Sequence, residues 1–169
     1  MIINPSNPFE HVYGGDLVYT RILEGDQRWE FQAQFHMQGI DESEPLHVVL
    51  NPAFPGSTVP LEFYNIINNQ VRLISTGSGF DLILGDDDFN ALPILYISIG
   101  SLNGQRFTLA IEPQDYLVAL DMENHYRLTV RPTPEGQPNV LGRNFVDKVA
   151  LHFDARNRML GFGEPIAEL

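Results

Sequence analysis

The five histidines, His11, His36, His47, His125 and His152, are the first candidates for chemistry in this chain. An imidazole titrates near neutrality and ligates metals through either ring nitrogen. No two of them have the spacing that would place both on one face of a helix or strand, so ordinary surface or hydrogen-bonded roles are expected and no metal is. Asp86-Asp87-Asp88 offers the hard oxygens that calcium prefers. An EF-hand loop needs further ligands and a closing glutamate at fixed offsets, which LGDDDFNALP lacks, so the run reads as a solvated turn. Gly77 to Gly79 has no strand-to-helix context and reads as a flexible loop, not a phosphate cradle. Lys148 is the only lysine, and cysteine is absent, which removes thiol nucleophiles, thiolate zinc sites, iron–sulfur clusters and disulfides together. There is no phosphate loop with its lysine, no paired-histidine zinc helix and no serine elbow, so no cofactor is expected.

The elements that would position these residues are mostly strands. In RWEFQAQFHMQG, Trp29, Phe31, Ala33, Phe35 and Met37 alternate with polar residues, the period of a strand with one buried face. Leu95, Ile97 and Ile99 alternate, Asn103-Gly104 makes a turn, and Phe107, Leu109 and Ile111 resume the pattern, which predicts a hairpin. Shorter strands are expected at DLVYTRI, LHVVL, VRLIS, YRLTV, VALHF and MLGF, separated by Gly, Pro, Asn and Asp. Helices are few: PLEFYNIINN, with Pro60 at the first helical position behind Ser57 or Thr58, and one turn at RNFVDK. Pro132 to Asn139 forms a Pro/Gly-rich loop. One all-β domain over residues 1–169 fits the length.

Composition narrows the partners. The 22 acidic residues against 10 basic ones give a formal charge of −12, which repels a phosphate backbone and argues against nucleic acid or an anionic membrane. Apolar residues at 43% and charged residues at 19% are globular values. The opening MIINPSNPFE has no basic or apolar export signature, and no run is long enough to span a bilayer. A soluble chain is expected, and nothing in the sequence fixes its compartment.

A family resemblance rests on four stretches, one of them PLHVVLNPAFPGSTVPLEFYNIIN, a hydrophobic strand running into a Pro/Gly loop at Asn51 and a short helix. PNVLGRNFVDKVALHFDARNRMLGFGEP resembles the C-terminal signature of pepsin-like aspartic proteases: a hydrophobic-hydrophobic-Gly motif at Val140-Leu141-Gly142, a short helix, a strand ending in Phe153-Asp154, an Arg/Asn turn, and a closing strand at Leu160-Gly161-Phe162-Gly163. FNALPILYISIGSLNGQRFTLAIEPQDYLV is similar to the family's Leu-Pro, hairpin and Pro-x-x-Tyr stretch, here Leu92-Pro93 and Pro113 to Leu117. HVYGGDLVYTRILEGDQRWEFQAQFHMQGI is similar to its Tyr-x-Gly-Asp-Leu strand and Trp-containing strand. The order is that of the C-terminal lobe, which implies a single lobe of short antiparallel strands with one or two short helices.

The resemblance departs at the chemistry. Each lobe of an active member contributes one Asp in Asp-Thr/Ser-Gly, and the two carboxylates share a proton and polarise a water. Asn51-Pro52-Ala53 stands where that motif belongs, between Val48-Val49-Leu50 and Pro60. An amide neither deprotonates a water nor shares a proton, and proline brings neither a hydroxyl nor an N–H. No Asp elsewhere is followed by Thr/Ser-Gly. The resemblance thus implies a degenerate catalytic position with no catalytic residue of its own. It also implies an exposed part of the floor that the two lobes of family members share, expected around Leu151, Phe153, Met159 and Phe162. The leading expectation is an inactive lobe that binds or scaffolds proteins, its partner a second protease-like lobe or a copy of itself. The alternatives are one half of a pepsin-like endopeptidase completed by an N-terminal lobe, or a decoy inhibitor of such proteases.

Overall fold

The computed structural model describes residues 16–23, 29–78 and 81–165. His11, the opening ten residues and Gly79 lie outside the described residues. Thirteen described strands run β1 Val18–Arg21, β2 Glu30–Met37, β3 Leu46–Leu50, β4 Ser57–Val59, β5 Leu82–Ile83, β6 Leu95–Gly100, β7 Arg106–Ile111, β8 Leu117–Ala119, β9 His125–Leu128, β10 Val130–Pro132, β11 Asn139–Leu141, β12 Ala150–Asp154 and β13 Met159–Gly163. Three α-helices accompany them: α1 Leu61–Ile74, α2 Pro113–Tyr116 and α3 Arg143–Val146. The strands form a seven-stranded mixed sheet ordered β10-β4-β11-β3-β2-β6-β7 and two three-stranded antiparallel sheets, β1-β13-β12 and β5-β9-β8.

The alternation in β2 does what its period requires. Phe31, Phe35 and Met37 have no exposed surface and Ala33 is 2% exposed, while the residues between them face outward. Burying each large side chain stabilises the fold by about 1.5–3 kcal/mol. The Asn103-Gly104 hairpin forms as its sequence predicts, with β6 and β7 in register from Leu95↔Ile111 to Gly100↔Arg106. Gly104 adopts a φ of +82°, a left-handed conformation that favours glycine. The acidic run becomes a 3-10 turn over Asp86–Ala91, where the Asp88 carboxylate accepts the Gly85 N–H at 2.7 Å.

One expected strand is a helix. VRLIS, residues 71–75, carries the β-branched residues that favour strands, yet α1 continues to Ile74. Phe63, Ile67 and Val71 recur every four residues and are buried, so the apolar stripe continues past Asn69 and tertiary burial overrides local preference. The start of α1 also differs. Pro60 is the N-cap and not the first helical residue, Ser57 and Thr58 belong to β4, and Tyr64 N–H donates to the Pro60 carbonyl at 3.1 Å. YRLTV likewise divides: Thr129 separates β9 from β10 because both its N–H, at 2.8 Å, and its hydroxyl, at 3.1 Å, donate to the Tyr116 carbonyl.

Tyr116 anchors α2 from within the core. Its side chain is fully buried and its hydroxyl donates to the Pro93 carbonyl at 2.8 Å. Burial pushes the phenol above its ordinary range, so it stays a donor. Tyr116→Phe leaves that carbonyl without its donor and should cost about 1–2 kcal/mol in urea denaturation. An unchanged midpoint would mean that the Pro93 carbonyl has another partner.

Candidate functional site

Asn51-Pro52-Ala53 lies where two distant segments meet. Strands β3 and β4 are joined by residues 51–56 and yet are not neighbours, because β11 enters between them, parallel to β3 and antiparallel to β4. This insertion sets Val140-Leu141-Gly142 against Asn51-Pro52-Ala53. Asn51 N–H donates to the Leu141 carbonyl at 3.0 Å, Arg143 N–H to the Phe54 carbonyl at 2.8 Å, and Gly142 N–H to the Ser57 hydroxyl at 3.2 Å. Ser57, 4% exposed, in turn donates to Asn144 Oδ1 at 2.6 Å, while Asn144 Nδ2 is buried without an acceptor among the described residues. Thr58 accepts the Val140 N–H at 2.8 Å.

The Asn51 side chain is absorbed locally. Its Oδ1 accepts the Ala53 N–H at 3.1 Å, and its own carbonyl accepts the Phe54 N–H at 3.0 Å, an Asx turn closing the loop. Asn51, Pro52 and Ala53 are all exposed. They stand at one end of a groove of about 560 Å3, whose walls include Trp29, Val49, Thr58, Pro134, Pro138 and Val140. Among the described residues no carboxylate, histidine or lysine lines it. The groove offers largely apolar walls, an aromatic ring and the two amides of Asn51 and Gln137, a set suited to holding a chain and, among the described residues, without a group able to move a proton at working pH.

No family model matches the chain, and no curated protein does. Its chemistry is therefore read from the geometry alone.

Of the four residues expected on an exposed floor, the structure brings three to one face and sends the fourth to the other. Across β12 and β13, Leu151 pairs with Phe162 and Phe153 with Leu160, so these side chains share the core face, whereas Met159 pairs with Asp154 on the opposite face. Phe162 offers no surface: it is fully buried, with ring centroids of Phe31, Phe107 and Phe145 at 5.2, 6.1 and 6.3 Å. This corrects its place as a binding residue, since β13 is the middle strand of its sheet and is covered by the core. Leu151 and Met159 are half-buried. Phe153 is 43% exposed and leans edge-on against Trp29, centroids 4.6 Å apart.

Four other titratable groups make contacts within the fold. Lys148 Nζ donates to Asp115 at 2.5 Å and to the Ala110 carbonyl at 3.0 Å, with Glu112 at 3.8 Å, so the single ammonium ties the segment after α3 to α2. His152 Nδ1 lies 2.7 Å from the Tyr19 hydroxyl, and His125 Nδ1 lies 2.8 Å from the Glu123 carbonyl. Asp154 accepts both the side-chain and backbone N–H of Asn157, at 2.7 and 3.0 Å, which hold its carboxyl below the usual range, assisted by His152. Among the described residues no three His, Asp or Glu gather as a metal site, and no helix is long and apolar enough to cross a membrane.

Sequence reasoning singled out Asn51 and missed the groove beside it. Trp29 was counted with the buried face of β2, and it is only half-buried at the strand's start. The prolines of residues 132–139 were legible as a loop, but that the loop forms one wall depends on β10 and β11 flanking β4 and β3.

Proposed function

We propose that this chain is a catalytically inactive aspartic-protease-like lobe that acts as a protein-binding or scaffolding module. The observation that carries the reading is the state of Asn51: an amide stands at the end of the groove, its oxygen spent on the Ala53 N–H, and no carboxylate among the described residues lines the walls. The insertion of β11 supports it as well, since the hydrophobic-hydrophobic-Gly segment and the degenerate triplet, 89 residues apart at Leu141 and Pro52, are hydrogen-bonded neighbours through Asn51 and Arg143. A groove with apolar walls and an exposed aromatic at a sheet edge would suit a protein-binding surface.

Peptide cleavage by the purified chain tests this, assayed between about pH 3 and 6, where a shared-proton dyad operates. No turnover is expected from a folded sample. Turnover that a statine-type inhibitor abolishes would overturn the reading, because it requires a carboxylate that the Asn51 site does not contain.

A further inference from the structure

We propose that Asn103 converts itself to aspartate and isoaspartate in the folded chain, with the β6–β7 turn supplying hydrogen-bond donors that assist the step. The inference is independent of the inactive-lobe reading and concerns another part of the molecule. Asn103-Gly104 is the only Asn-Gly pair in the sequence. It stands at the tip of the β6–β7 hairpin, where residues 102–105 are all exposed.

The step is an intramolecular substitution followed by hydrolysis. The Gly104 main-chain nitrogen attacks Cγ of Asn103 and forms a C–N bond while the Cγ–Nδ2 bond breaks, closing a five-membered succinimide ring. The attacking nitrogen gives up its proton, and the departing nitrogen leaves as ammonia. Water then opens the ring at Cγ to give aspartate, or at the main-chain carbonyl to give isoaspartate, in which the chain runs through the former side chain.

Nucleophile and electrophile are held together by the chain itself, so no encounter limits the reaction. Elsewhere the side chain of the following residue crowds the attacking nitrogen, and glycine has none. A Cβ built on Gly104 would meet nothing within 4 Å, so the turn leaves water and base free access. The Gly104 N–H donates to the Ser101 carbonyl at 3.3 Å, beyond the usual range for such a bond, and little is lost when it turns away.

The turn also prepares the electrophile. As the nitrogen adds, negative charge develops on Asn103 Oδ1, and donors already aimed at that oxygen lower the barrier. Two are in place: the Ser101 hydroxyl, and the Gln105 N–H at 3.3 Å. Asn103 Nδ2 donates to Gln105 Oε1 at 3.0 Å, which holds the leaving nitrogen as well. Asn124 supplies the contrast within the same chain, since it too is exposed and has a positive φ of 61°, but His125 follows it and carries a Cβ. Conversion at Asn103 adds a carboxylate to a chain already at −12, and isoaspartate puts an extra main-chain carbon into a turn that closes on the pair Gly100↔Arg106.

Incubation of the purified full chain in mildly alkaline buffer made with heavy-oxygen water, followed by peptide mass mapping, tests the proposal. The peptide holding Asn103 should lose ammonia and gain one heavy oxygen at least about tenfold faster than the peptide holding Asn124, while circular dichroism still reports the folded chain. Ser101→Ala removes the hydroxyl donor and should slow the conversion about threefold, less than the loss for an enclosed donor because water competes at an exposed tip. Asn103 reacting no faster than Asn124 overturns the site. A Ser101→Ala chain that reacts as fast as its parent, or faster, overturns the assistance by the turn. Peptide turnover enters neither readout, so this proposal and the inactive-lobe reading fail separately.

Discussion

Phe162→Ala should lower the unfolding free energy by about 3–5 kcal/mol, the cost of removing a fully buried phenylalanine and leaving a cavity. Its ring contacts Phe31 from β2, Phe107 from β7 and Phe145 from α3, so one truncation loosens three elements of the seven-stranded sheet and its helix from the three-stranded sheet. Against the 5–15 kcal/mol that stabilise an ordinary domain, the loss is a large share. Phe153→Ala, nine residues earlier, should cost under about 1 kcal/mol, as a half-exposed side chain near a sheet edge does. Urea denaturation of both variants checks the pair. A small loss for Phe162→Ala would mean that the sheet β1-β13-β12 does not pack on the core as described.

Gly142→Ala should be comparably damaging, by about 3 kcal/mol, for a different reason. A methyl group at position 142 would fall on the carbonyl oxygens of Phe54 and Gly56. The demand is for space and not for an unusual dihedral, because Gly142 has a φ of −98°. Backbone cannot yield as the end of a flexible side chain does, so the loop after Asn51 must move away. Hydrogen exchange provides the local readout: the amides of Asn51 and Arg143, which bond across the junction, should lose protection before those of β6 and β7. Equal protection at both places would show that the junction absorbs the methyl group.

What the sequence made legible was decided by periods short enough to read locally. The alternation of β2 and the Asn-Gly hairpin are encoded within a dozen residues. What stayed hidden was decided at a distance. Strands β4, β10 and β11 have three residues each, too few for a period, and exist because they pair with one another and with β3. The end of α1 reads as a strand until its partner surface is known. Phe153 and Phe162 look alike in sequence and differ only because one lies on an edge strand and the other on the middle strand of the same sheet.

The insertion of β11 between β3 and β4 also fixes an order of events during synthesis. When Val59 has left the ribosome, β3 and β4 have no strand between them, and the missing one lies some 80 residues ahead. The β6–β7 hairpin closes long before that, on local contacts. The loop at Asn51 cannot take its final hydrogen bonds until Leu141 and Arg143 emerge, and closing so long a loop late is slow. A nascent chain stalled short of residue 139 would therefore hold an open slot bordered by two strand edges, where chaperones or another chain could enter.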